Sequence, residues 1–217
     1  MEKVTKTRSA LSPRWRYGVV WTFVIALTVL IFMSVQAYRN IPPIPEKVIG
    51  PTGDVIFTGD DISAGQEVFL KYGLMENGTI WGHGSYLGPD FSAAYLHALG
   101  VDAGEMLSRE IFGRSFSQLM PSESKSVQSQ VAELLKANRY DAENRVLVFS
   151  NPEAHSFKKQ TEYWKAHFSD PTASGGLSVN YINNSEEIRK LSAFFAWTAW
   201  ASVASRPGET YSYTNNF

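Results

Sequence analysis

The chain has 217 residues, with 20 lysines and arginines against 21 aspartates and glutamates, a formal charge of −1, and no cysteine. Without a basic stripe or a dense Lys/Arg cluster beyond its N-terminal flank, it carries no footprint for a nucleic-acid partner. The missing cysteines exclude disulfides, thiolate metal sites, cysteine-ligated iron–sulfur clusters and covalently attached c-type haem.

Tyr17 to Tyr38 carries no charge over 22 residues, about 33 Å as a helix, which is the thickness of a bilayer core. Lys3, Lys6, Arg8, Arg14 and Arg16 precede it against a single Glu2, whereas only Arg39, Lys47 and Glu46 follow it closely. The positive-inside bias therefore places residues 1–16 in the cytoplasm, residues 17–38 in the membrane and the rest on the outer side. Trp15, Tyr17, Trp21 and Tyr38 stand where an aromatic belt anchors helix ends. Val35-Gln36-Ala37 has some likeness to a cleavage site, but the apolar run exceeds the roughly 7–15 residues of a signal-peptide core, so a retained anchor is expected. The residues beyond it, about 170, suffice for one domain with its own core.

Residues 39–58 read as a stiff proline-rich linker, Asn40 to Pro45, and an irregular arm or small hairpin from Val48 to Phe57 broken by Gly50-Pro51-Thr52-Gly53. The domain proper is expected over residues 59–217. A first helix starts with Asp60 or Asp61 as N-cap, puts Ile62, Val68, Phe69 and Tyr72 on one face, and stops at Gly73. A glycine-rich loop runs from Gly73 to Pro89. A second helix then spans Asp90 to Gly100 and a third Ala103 to Phe112. Pro121 opens a fourth, with Val127, Val131, Leu134 and Leu135 as its apolar stripe. Arg145 to Phe149 is a strand candidate, and Asn151-Pro152 reads as N-cap and first turn of a helix carrying Phe157, Thr161, Trp164 and Phe168 and ending around Asp170-Pro171. The last helix has Asn184 as N-cap and Glu187 at capping-box spacing, then 14 uncharged residues from Leu191 to Ala204. That is too short to span a bilayer; a buried helix is favoured over one lying on the membrane, because its serines and alanines suit close packing.

Four histidines, at positions 83, 97, 155 and 167, lack metal-site spacing. No Gly-x-Ser-x-Gly elbow supports serine catalysis. The dense feature is Trp81-Gly82-His83-Gly84-Ser85-Tyr86-Leu87-Gly88-Pro89-Asp90. A structural turn is its plainer reading. The alternative is an ion site, since loop carbonyls, a tyrosine hydroxyl and a nearby carboxylate are hard oxygen ligands that suit calcium.

At this loop the chain resembles a known family. Ala64-Gly-Gln-Glu-Val-Phe69, the Trp81 to Asp90 loop, Phe194-Phe-Ala-Trp-Thr-Ala-Trp200 and Arg206-Pro-Gly-Glu-Thr-Tyr-Ser-Tyr-Thr-Asn-Asn216, in this order behind one anchor, resemble the N-terminal region of quinol-dependent nitric oxide reductases of the haem-copper oxidase superfamily. The resemblance implies a mainly α fold: one N-terminal transmembrane helix plus a haem-free, cytochrome c-like helical domain with minor β, held on the periplasmic side of a bacterial-type inner membrane. Where a c-type cytochrome has Cys-x-x-Cys-His, this chain has Leu74 to Gly82 without a cysteine. By the same resemblance, the Gly84 carbonyl and the Tyr86 hydroxyl are ligands of a calcium ion whose other ligands come from the catalytic part, so this chain alone is expected to bind calcium weakly at best. The expected partner is that multi-helix, haem-bearing part, whether a separate subunit or a C-terminal region. It carries the histidines for haem b, haem b3 and a non-haem iron, all absent here, so this polypeptide by itself is not expected to reduce nitric oxide. The rival reading from the residues is a membrane-anchored, non-enzymatic binding or sensor module, with Trp197 and Trp200 as a docking surface. A quinol-binding subunit is a weaker third, for want of a paired His and carboxylate at membrane depth.

Overall fold

The computed structural model describes residues 13–170 and 176–215, in two compact units, residues 1–41 and 42–217. Lys3, Lys6, Arg8, Pro171, Asn216 and Phe217 lie outside the described residues. The first unit is helix α1, Pro13–Arg39. Among the described residues it is the one helix long and apolar enough to be a candidate membrane span, over Arg14–Arg39. Its side chains are exposed along its length. The hydroxyls of Thr22 and Thr28 donate to the carbonyls of Gly18 and Val24 at 2.9 and 2.8 Å, so neither is left unsatisfied in an apolar medium.

The second unit is mainly helical with minor strands. Strands β1 (Lys47–Ile49) and β2 (Val55–Thr58) form the expected hairpin, with a register shift beside Ile49. Helix α2 is Gly59–Lys71. Its N-cap is Thr58, not Asp60 or Asp61. Thr58 Oγ1 accepts from Asp61 N at 3.2 Å while the Asp61 carboxylate accepts from Thr58 N at 2.9 Å, and this reciprocal pair moves the start forward. Tyr72 caps the helix, and Gly73 turns the chain with φ 59°.

After the glycine-rich loop, α3 runs unbroken over Phe91–Phe112 from its N-cap Asp90. The two helices expected around Gly100 are one. A helical glycine costs about 1 kcal/mol relative to alanine, and here Tyr95, Leu99 and Ala103 are buried on either side of it. Asp102, also buried, accepts hydrogen bonds from Ser156 Oγ at 2.9 Å and from Lys159 Nζ. Helix α4 is Pro121–Lys136, opening at Pro121 as expected. Strand β5 (Tyr140–Asp141) pairs antiparallel with β6 (Val146–Val148), and β6 pairs parallel with β1, giving the order β2-β1-β6-β5. The arm at residues 47–58 is thereby part of the compact unit. Helix α5, Asn151–Ser169, is capped by Ser150, not Asn151. The buried Glu153 explains the shift: its Oε2 accepts from Ser150 N and Oγ at 2.7 and 2.5 Å and from Arg139 Nη2 at 2.5 Å.

Helix α6, Ser185–Val203, has Asn184 as N-cap, accepting from Glu186 N and Glu187 N. Glu187 does not complete the expected capping box. Its carboxylate accepts instead from Lys71 Nζ at 2.6 Å and Tyr72 Oη at 2.8 Å on the α2 side. From Leu191 to Ala201 every residue of α6 is buried, which resolves its placement in favour of the core. Trp197 and Trp200 are 8 % and 3 % exposed, so the pair is core and not a docking surface.

Helix α2 crosses α6 at Gly65. A Cβ there would overlap the Lys190 carbonyl and press on Phe194 Cβ. The close approach lets Phe69 pack on Phe194 and Phe91, each with centroids 5.7 Å away, and on Phe195 at 6.3 Å. Phe91 stacks on Phe195 at 4.9 Å, and Trp164 of α5 meets both. Four helices thus each place a ring in one aromatic core.

His167 lies at the end of that core, 5 % exposed, with the rings of Trp164 and Phe168 each 5.2 Å away and Tyr163 6.0 Å away. Burial pushes its pKa down, against a smaller upward pull from Asp170.

Replacing Gly65 by Ala should cost about 3 kcal/mol, roughly 10 °C in melting midpoint, while Gly100→Ala, with open space around the added methyl, should leave the midpoint unchanged or raise it. Circular-dichroism melts of the full chain in detergent compare the two. Because the folded pKa of His167 lies below its ordinary value near 6.5, the unfolded chain takes up the proton first as pH falls. Stability should therefore decline as pH drops below about 6.5, levelling once the folded form also protonates. Urea midpoints between pH 7.5 and 5 should show a shallower decline in His167→Phe.

Candidate functional site

The loop from Gly73 to Asp90 is built in three steps. A 3₁₀ turn at Leu74–Glu76 buries Leu74, and Gly78 N donates to the Leu74 carbonyl at 2.9 Å. Strands β3 (Thr79–Ile80) and β4 (His83–Gly84) then form a two-residue hairpin whose turn residues, Trp81 and Gly82, have φ of 52° and 75°. Left-handed backbone at both central positions is the primed turn that matches strand twist, and tryptophan is a costly residue to place there. The chain returns with Ser85 N donating to the Met75 carbonyl at 2.8 Å and Thr79 N to the Pro89 carbonyl at 3.0 Å.

Two side chains lock this hairpin to the helices. Asp90 Oδ2 accepts from Thr79 Oγ1 at 2.7 Å and Gly82 N at 2.6 Å, and its Oδ1 accepts from Ser92 Oγ at 2.7 Å and Ala93 N at 2.8 Å. One carboxylate thus caps α3 and holds the hairpin at both ends of β3. Burial raises its pKa, but these four donors outweigh that, and the carboxyl stays below its usual range. Trp81 N donates to Ser92 Oγ at 2.9 Å and Trp81 Nε1 to the Thr198 carbonyl of α6 at 2.9 Å, while its ring lies 5.8 Å from Trp197. These contacts offset the cost of its left-handed backbone. Trp197 Nε1 in turn donates to the Pro43 carbonyl at 2.9 Å.

What the clamp presents is the tip. Tyr86 is 86 % exposed and Leu87 74 %, and Tyr86 Oη makes one long hydrogen bond, 3.3 Å, to the Gly82 carbonyl. Gly84 has φ 138°, and a Cβ there would overlap the Gly78 carbonyl, so only glycine fits. The two residues singled out for calcium, Gly84 and Tyr86, therefore share the exposed part of one braced loop. The nearby carboxylate does not join them: both oxygens of Asp90 are occupied by protein donors. Calcium takes about six to eight oxygen ligands. A carbonyl and a phenol supply one edge of such a shell, and the remaining oxygens would have to come from outside the loop.

Among the described residues no three or more His, Cys, Asp or Glu side chains gather as a metal set. His83, His97 and His155 are exposed on β4, α3 and α5, and His167 is buried. Sequence reasoning misses Thr79 and Ser92, and it names Trp81 without its bracing role. The one local signal was the Trp-Gly pair at a hairpin turn; the partners of Trp81 lie 11 and 117 residues away.

No curated protein matches the chain. The family model for the NorB cytochrome c-like domain of nitric oxide reductase matches residues 45–217, which takes in the sheet, the braced loop and every helix from α2 to α6.

Asp90→Ala removes a helix cap and leaves the hairpin donors without their acceptor, a loss of at least about 2 kcal/mol by urea unfolding. Amide exchange over residues 79–88 should accelerate with it. Tyr86→Phe, at an exposed position, should leave both unchanged.

Proposed function

This chain belongs to the NorB cytochrome c-like domain family of nitric oxide reductases, and from that membership we propose that it is the outer-face domain of a quinol-dependent nitric oxide reductase. The domain covers the catalytic bundle where a cytochrome would otherwise deliver electrons, leaving quinol oxidised within the membrane as the electron source. The reaction, two NO with two electrons and two protons giving N₂O and water, runs on haem b, haem b3 and a non-haem iron in the catalytic part. Of the histidines here, three are exposed and the fourth is enclosed by aromatic rings.

The observation that carries this reading is the braced loop within the matched region. Asp90 and Trp81 fix its base, and its exposed tip offers the Gly84 carbonyl and the Tyr86 hydroxyl. On this reading the tip meets the catalytic part through a shared calcium, with the anionic oxygens supplied by the partner. Helix α1 anchors the chain, with the basic residues before it on the cytoplasmic side and the domain on the outer side. The non-enzymatic module loses its main support, since Trp197 and Trp200 are buried.

Purification of the tagged chain from its native membrane, with an optical spectrum, mass spectrometry, calcium analysis and NO-consumption assays of the product, tests the proposal. The expected result is a multi-helix protein with b-type haem that consumes NO and holds calcium, with calcium content falling in Tyr86→Phe. A colourless chain purified alone would refute it.

A further inference from the structure

The seam between α3 and α5 contains polar atoms that neither the fold nor the loop uses. Gln160, Trp164 and His167 stand at i, i+4 and i+7 on α5 and so share a face. They are 3 %, 0 % and 5 % exposed, and Tyr95 on α3 is 1 % exposed. Gln160 Oε1, Trp164 Nε1, both ring nitrogens of His167 and Tyr95 Oη have no hydrogen-bond partner among the described residues. Five such atoms in one seam are more than a folded interior ordinarily tolerates.

Two contacts set the register of the helices. Asp102 on α3 meets Ser156 on α5, and Phe91 on α3 meets Trp164 on α5. Passing from 102 back to 91 on α3 therefore corresponds to passing from 156 forward to 164 on α5, so the two run antiparallel and Tyr95 falls level with Gln160 and Trp164. A phenol, an indole and an amide acceptor thus stand at one level of the facing helices, each with an atom lacking a hydrogen-bond partner among the described residues. The neighbouring charges are already engaged: Asp102 holds Ser156 and Lys159, and Glu153 holds Arg139 and Ser150. The charges nearest Tyr95 among the described residues are thus engaged, and a small neutral molecule that both donates and accepts suits the atoms.

We propose that the α3–α5 seam is an internal water site, in which a buried water accepts from Tyr95 Oη and donates to Gln160 Oε1, with the Trp164 and His167 nitrogens as its further or relayed partners. The water joins the two helices across the stretch between the Asp102–Ser156 and Phe91–Trp164 contacts. It is therefore part of the fold, held as long as the helices stay packed.

The test is a double-mutant cycle in the full chain in detergent, with Tyr95→Phe, Gln160→Leu and the double variant compared by thermal unfolding. Each single change strands the opposite group and should lower the midpoint by about 3 to 8 °C; the double variant, losing both polar groups and the water, should lose clearly less than the sum. A high-resolution crystal structure then separates a water from a direct bond. Density for a water between Tyr95 and Gln160 is expected, whereas additive losses, or a direct Tyr95–Gln160 hydrogen bond without water, overturn the proposal.

Discussion

The approach of α2 to α6 at Gly65 is the constraint from which the rest of the domain follows. With no side chain between the backbones, the Lys190 carbonyl and Phe194 sit where a Cβ would be, and the crossing is bound on either side by Asp61 with Arg189 and by Lys71 and Tyr72 with Glu187. Phe69 then reaches three rings from α3 and α6. Fixing α6 in turn fixes the Thr198 carbonyl and the Trp197 ring, which are what Trp81 of the exposed loop grips. The exposed loop is thus held by the same crossing that organises the core.

The interior of this cytochrome c-like domain is filled with aromatic side chains. Here rings from α2, α3, α5 and α6 do so, with Phe91, Phe195 and Trp164 in mutual contact. Aromatic side chains bury large areas with specific edge and stacked geometries, so these ring contacts make the interior firm. The exposed Tyr86 and Leu87 thus stand on a short loop carried by a rigid body.

Much of the fold was legible in the sequence because its signals are local. The α1 run, the Gly50 to Gly53 turn, Pro121 at the start of α4, the strand around Leu147 and the Asn184 cap each declare themselves within a few residues. The misplaced starts of α2 and α5 had a readable signal too: Thr58-x-x-Asp61 and Ser150-x-x-Glu153 are capping-box spacings, but the more obvious Asp and Asn-Pro residues next to them competed for the same role. Gly100 misled because its cost is repaid by Asp102 pairing with residues 54 and 57 positions away, which no window along the chain displays. The site divided in the same way. Glycine spacing marked the loop around Gly84 and Tyr86, whereas the consumption of Asp90 by four donors and the latch of Trp81 onto α6 exist only once the helices are in place.

The parallel pairing of β1 with β6 joins Lys47 to Val146 and Ile49 to Val148, and Phe149 N closes onto the Ile49 carbonyl at 2.8 Å. In a chain synthesised from its N-terminus, the arm leaves the ribosome about a hundred residues before its partner strand, several seconds at ordinary elongation rates. During that interval β1 can pair with β2 but presents an open edge on its other side. The sheet is completed late, after α2, α3 and α4 have been made, and the waiting edge is a place where the unfinished chain needs shielding from its neighbours.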